Sequence, residues 1–240
     1  MMRFKFFPAI SLVASLFFIS CNGDDKKTTD TTVSTDTTST AVTPEPIEKP
    51  GLLLITKAKV ASFDKWKAAF DSRESERQAN GLRAYIVARG SKDTTMIMVA
   101  YKIEDPAKVK AYRASKEFRD NRKAAGVMGE PTDLYVDVQM LDTSPGASSD
   151  RVIVTTKVKD WDAWKNSFDG HKQARVDAGL VDRAVGFSIG DSNNVTVALA
   201  MTDVAKGEAF MASKDLKDKM AESGVVGKPD IFFYHVVQTY

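Results

Sequence analysis

The sequence predicts an α+β fold in which two tandem βαββαβ units pack sheet to sheet within one chain. Three observations carry that prediction: an internal repeat, the order of apolar and amphipathic segments inside each repeat, and strands too apolar on both faces to stand alone. Trp66, Phe70, Asp71, Arg77, Gly81 and Leu82 recur 98 positions later as Trp164, Phe168, Asp169, Arg175, Gly179 and Leu180. After a short slip the same offset returns. Ser115-Lys116 matches Ser213-Lys214, and Gly126-Val127, Gly129 and Pro131 match Gly224-Val225, Gly227 and Pro229. A period of this length is too long for a solenoid and suits a small duplicated domain. The repeats span residues 51–142 and 150–240, joined by a linker rich in Ser, Pro and Gly.

Each element follows from local chemistry. Leu52–Val60 is an apolar run that suits a buried strand. Ser62 or Asp64 caps the helix after it, and Gly81 ends that helix. Arg83–Arg89 and Thr95–Lys102 are strands separated by Gly90-Ser-Lys-Asp93, a hairpin signal. Asp105-Pro106 opens the second helix with Asp at the cap and Pro at its first position, and Gly126 closes it. Asp133–Leu141 is the fourth strand. The second repeat reads the same way: Arg151–Val158, Asp160–Ala178, Arg183–Ile189, Val195–Met201, Val204–Ser223 and Ile231–Thr239.

The order strand, helix, strand, strand, helix, strand is the ferredoxin-like split βαβ, with helices on one face of a four-stranded sheet. The other face stays polar in a free-standing domain. Here Leu52-Leu-Leu-Ile55, Met96-Ile-Met-Val-Ala-Tyr101 and Ile231-Phe-Phe-Tyr234 are apolar on both faces. Sheets buried on both faces need a second layer, and the other repeat is the nearest one.

This arrangement resembles the dimeric α+β barrel superfamily, which includes antibiotic-biosynthesis-monooxygenase-like domains, fused in tandem as an intramolecular pseudo-dimer. The second repeat carries the resemblance best, in Val158-Lys-Asp-Trp-Asp-Ala-Trp164, Phe168-Asp-Gly-His171, Arg175, Ala178-Gly179, Ala212-Ser-Lys-Asp-Leu216 and Gly224-Val225-Val226-Gly227. The resemblance implies the barrel fold over both repeats and leaves the chemistry open, since such folds host many functions.

Candidate site residues come from the first helix of each repeat. On a continuous helix Trp161, Trp164, Phe168, His171 and Arg175 share an arc of about 80°, so the stripe facing the sheet carries a His and an Arg. Phe63, Trp66, Phe70, Arg73 and Arg77 repeat that layout. A charge in such a place needs a partner or a wet cavity. A pocket between helix and sheet, lined by Trp164, His171 and Arg175 and by Trp66, Arg73 and Arg77, meets that need. Arginines with buried stems and heads in water, bonded to strand carbonyls, or paired with Asp meet it equally. No phosphate loop, Ser elbow or Cys nucleophile occurs, and no cofactor or metal site is expected. His235 lies on the last strand, where the first repeat has Asp137.

The N-terminal segment points to the cell envelope. Arg3 and Lys5, the apolar run Phe6–Ile19 and the junction Ser20-Cys21 form a secretory signal over residues 1–20. Phe18-Ile19-Ser20-Cys21 resembles a bacterial lipobox, which implies lipid attachment at Cys21, the single cysteine of the chain. Residues 21–50 form a tether: nine of positions 22–50 are Thr and Pro44, Pro46 and Pro50 close it, a composition that cannot offset the entropy of ordering. As a flexible coil it spans about 30 Å. Arg3 and Lys5 account for the excess in a chain with 34 basic and 32 acidic residues, so the remainder is formally neutral. With basic and acidic residues interspersed, nucleic acid is not an expected partner. The expected partners are a membrane, through the anchor, and a small molecule, and the expected state is a pseudo-dimeric monomer. The leading expectation for function is binding of a small apolar or anionic molecule. A cofactor-free monooxygenase acting on an aromatic substrate and an interaction protein without a pocket stand beside it.

Overall fold

A computed structural model of the chain describes residues 51–240. The expected signal segment, Cys21 and the tether lie outside the described residues. The first repeat comprises β1 (Leu52–Val60), α1 (Phe63–Asp71), α2 (Glu74–Ala79), β2 (Leu82–Gly90), β3 (Met96–Ile103), α3 (Pro106–Ala114), α4 (Lys116–Ala124) and β4 (Val127–Leu141). The second comprises β5 (Asp150–Val158), α5 (Trp161–Gly170), α6 (Lys172–Asp177), β6 (Leu180–Ser188), β7 (Asp191–Met201), α7 (Val204–Ala212), α8 (Lys214–Glu222) and β8 (Val225–Thr239).

Each repeat builds an antiparallel sheet, β4-β1-β3-β2 and β8-β5-β7-β6, and the two sheets face one another as expected. Their edges also join. β2 pairs with β8, from Ile86 opposite Thr239 to Gly90 opposite Tyr234, and β4 pairs with β6, from Val136 opposite Ser188 to Leu141 opposite Ala184. The result is a closed eight-stranded barrel without a free edge. One seam leaves no room for a side chain: a Cβ on Gly186 would lie 2.5 Å from the Asp137 carbonyl oxygen.

Alternation along the strands gives each residue its layer. Leu53, Ile55, Ile86, Met98, Val136, Ile153 and Tyr234 fill the barrel. Leu54, Val99 and Tyr101 point the other way and pack on Trp66, Phe70 and Tyr112 of the helices. Val152, Val197 and Leu199 do the same against Trp164 and Met211.

Each helix expected to run unbroken is instead two. Ser115 and Ser213 adopt extended backbone, and each accepts an amide of the following turn, Phe118 N at 3.0 Å and Leu216 N at 3.1 Å. A serine side chain bonded to local backbone competes with the helix at that point. The first helical segment breaks at Ser72-Arg73 and its counterpart at His171, which has φ −96° and ψ 14°. β4 and β8 begin earlier than expected, because Val127 and Val225 continue pairing with Val60 and Val158 beyond a bulge. Pro131 and Pro229 occupy the irregular stretch, where a missing N–H costs no ladder bond.

Candidate functional site

Two cavities lie between helices and sheet, at equivalent places in the two repeats. The second repeat's holds about 120 Å³ and the first's about 90 Å³. Sequence-predicted residues line both: Trp164, His171 and Arg175 the one, Trp66, Arg73 and Arg77 the other. His235 joins neither, and its Nδ1 lies 2.9 Å from Asp150 Oδ1 on the surface. Among the described residues no group of three or more His, Cys, Asp or Glu is arranged to hold a metal ion.

The helix break decides what each arginine does. Phe168 lies in the last turn of α5, and its carbonyl accepts Arg175 Nη1 at 2.6 Å. Arg175 Nε and Nη2 donate to Asp182 Oδ1 and Oδ2 at 2.8 and 2.7 Å, and its guanidinium lies 3.5 Å from the centre of the Phe168 ring. Every donor edge is in use and the residue is 5% exposed. Of the arrangements open to Arg175, pairing with Asp and a backbone carbonyl is the one adopted. Its head is not in water.

Arg77 repeats the carbonyl bond, to Phe70 O, and the stacking, with its guanidinium 3.7 Å from the Phe70 ring centre. It has no Asp. Ala84 pairs with Tyr101 as Asp182 pairs with Leu199, so Ala84 holds the place of the missing carboxylate. Arg77 Nη2 reaches Glu74 Oε2 only at 3.4 Å, and Nε is buried without a partner. The other buried, unpartnered side-chain nitrogen among the described residues is Arg183 Nε, which lines neither cavity.

The walls have diverged further. α7 and α8 present Phe210, Met211, Leu216 and Met220 to the second cavity, and β7 presents Val195, Val197 and Leu199. His171, half-buried at the break, stands with Asp215 and Lys219 among this apolar lining. In the first cavity the matching positions are Tyr112, Arg113, Phe118, Arg122 and Tyr101. Arg113 ion-pairs with Asp133, which also accepts Thr56 Oγ1 at 2.7 Å. Tyr112 Oη donates to Glu76 Oε1 at 3.0 Å, and burial with this bond raises the Tyr112 pKa above the ordinary phenol range. The sequence signal for Asp182, Tyr101, Arg113 and Asp133 was present in the repeat, in positions where the two halves differ. Matching positions alone passed over them.

No protein-family profile and no curated protein matches this chain. Solved structures do. A Fusobacterium nucleatum protein with the provisional name monooxygenase superposes at TM-score 0.54 and 12% identity, over 80% of this chain and 94% of its own. A Lactobacillus acidophilus protein of the same provisional name gives 0.52 and 10%, over 78% and 94%. An anthrone oxidase-like protein gives 0.53 and 14%, over 80% and 94%. The fold is the dimeric α+β barrel. In this dimeric α+β barrel both halves come from one chain, and each half carries its own helix–sheet cavity with its own chemistry.

Proposed function

We propose that this chain is an envelope-tethered binding protein, anchored through Cys21, that holds a small apolar molecule in the second repeat's cavity. The observation that carries the reading is the lining: four apolar side chains from α7 and α8 face Val195, Val197, Leu199, Trp164 and Phe168. Size supports it too. An apolar cavity of roughly 150 Å³ holds benzene, so about 120 Å³ suits a single ring or a short branched chain. Each square ångström of ligand surface buried there contributes about 25 cal/mol.

Calorimetric titration with benzene and toluene tests the pocket. Met220→Arg, which installs the first repeat's residue, is expected to weaken binding about tenfold or more by placing a charge in the apolar wall. Unchanged affinity in that variant would reject this site. Cys21→Ser tests the anchor: the protein is expected to leave the membrane fraction or accumulate unprocessed, and normal processing with membrane retention would contradict the anchor.

A second reading is supported by His171 at the edge of a ring-sized cavity and by the names of the fold's solved members. In it, His171 takes a proton from an activated C–H of an aromatic substrate, and the carbanion forms a C–O bond with dioxygen. The peroxide takes the proton back from His171. The hydroperoxide then loses water to leave a carbonyl, so dioxygen is the oxidant and water the by-product. Oxygen uptake with a single-ring substrate such as phloroglucinol, whose keto form has an activated C–H, that disappears in His171→Ala supports this reading. No uptake above buffer leaves binding alone.

A further inference from the structure

The second cavity's chemistry does not carry over to the first. Four arginines, Arg73, Arg77, Arg113 and Arg122, line the first cavity, and no carboxylate does. Their acidic partners, Glu76, Glu74, Asp133 and Glu130, lie outside its lining. A buried donor at this cavity lacks a partner: Arg77 is 5% exposed with Nε unbonded. Tyr101, 7% exposed, lines the same space. Buried polar groups are bonded in the great majority of proteins, so each exception asks for an explanation.

The neighbouring repeat supplies the comparison. There Arg175 has Asp182, and Leu199, Met211 and Ile231 replace the Tyr101, Arg113 and Asp133 group. The second repeat lacks the polar set and has a carboxylate of its own for the arginine. The first repeat is the reverse: it has Ala84 in place of the internal carboxylate and donors around the same space. Asp133 accepts from both Arg113 and Thr56. Burial raises the Tyr101 pKa; the charges of Arg113 and Arg77 act to lower it and that of Asp133 to raise it. Trp66, Phe70 and Phe118 add flat apolar walls.

We infer that the first repeat's cavity is a second ligand site, selective for a small planar carboxylate whose anionic group is received by Arg113, Tyr101 and Arg77. The inference stands apart from the proposal for the second cavity, since the two sites share no lining residue. Charge-assisted bonds to a carboxylate are the stronger class of hydrogen bond and carry the selectivity.

Calorimetric titration of the full chain with benzoate, against neutral benzyl alcohol, provides the test. Benzoate is expected to bind, with affinity falling as salt rises, and benzyl alcohol is expected not to displace it. The double variant Arg113→Met/Asp133→Ile reproduces the second repeat's residues and strands no carboxylate. It is expected to lower benzoate affinity about tenfold or more. Tyr101→Phe keeps the ring, and a several-fold loss in that variant keeps the inference testable should the double variant fold poorly. Met220→Arg, which disables the other cavity, should leave benzoate binding unchanged. Absence of benzoate binding, equal binding by wild type and both first-cavity variants, or loss of benzoate binding in Met220→Arg would each overturn the inference. Failure of benzene and toluene to bind would overturn only the reading of the second cavity.

Discussion

Arg175 and His171 are four residues apart and line one cavity, yet the structure gives them different duties. Arg175 is the buried clasp between the end of α5 and Asp182 of β6, satisfied on every edge. His171 is half-buried at the helix break, and among the described residues no side-chain hydrogen bond holds it. Removing one partner of a buried ion pair costs about 3–5 kcal/mol, because the remaining charge is left uncompensated. Arg175→Ala, which strands Asp182, is therefore expected to lower the denaturation midpoint by that order. His171→Ala is expected to cost about 1 kcal/mol or less and to act on ligand instead. Urea unfolding of the two variants separates these roles. A loss in His171→Ala as large as that in Arg175→Ala would assign the histidine to the fold.

At the level of elements, strands were legible and helix continuity was not. β1 was readable to the residue because four consecutive apolar side chains can only be buried on both faces. The cap Asp105 announced its helix through a side-chain acceptor that meets the first free amides, and the structure shows Asp160 and Asp203 capping helices of the second repeat in the same way. The breaks at Ser115 and Ser213 were hidden because a serine inside an amphipathic run carries the same letter whether it faces solvent or caps a new turn. The arc that grouped His171 with Arg175 assumed one continuous helix. It nonetheless picked out residues lining the cavities, because each break reorients the chain locally and leaves the stripe on the sheet side. Asp182 and its absence at Ala84 were beyond the helix arc altogether, since the partner comes from a strand. Only the fold brings it to the arginine.

At the scale of the whole molecule, closure by β2–β8 and β4–β6 makes each repeat dependent on the other. Residues 150–240 alone would expose two strand edges and an interior face containing Ile153 and Tyr234. That piece is expected to dimerise or aggregate, as exposed apolar patches do. Sedimentation of the isolated segment checks this, and a soluble monomer would contradict the dependence. Joining the halves covalently has a further consequence, which the pair Ala84 and Asp182 makes visible. In an assembly of two identical chains every substitution is written twice, so a carboxylate lost beside one arginine is lost beside both. A single chain breaks that symmetry. One half has an internal counter-ion at Asp182 and the other has Ala84 in that place, so the two cavities differ inside one barrel without either constraining the other.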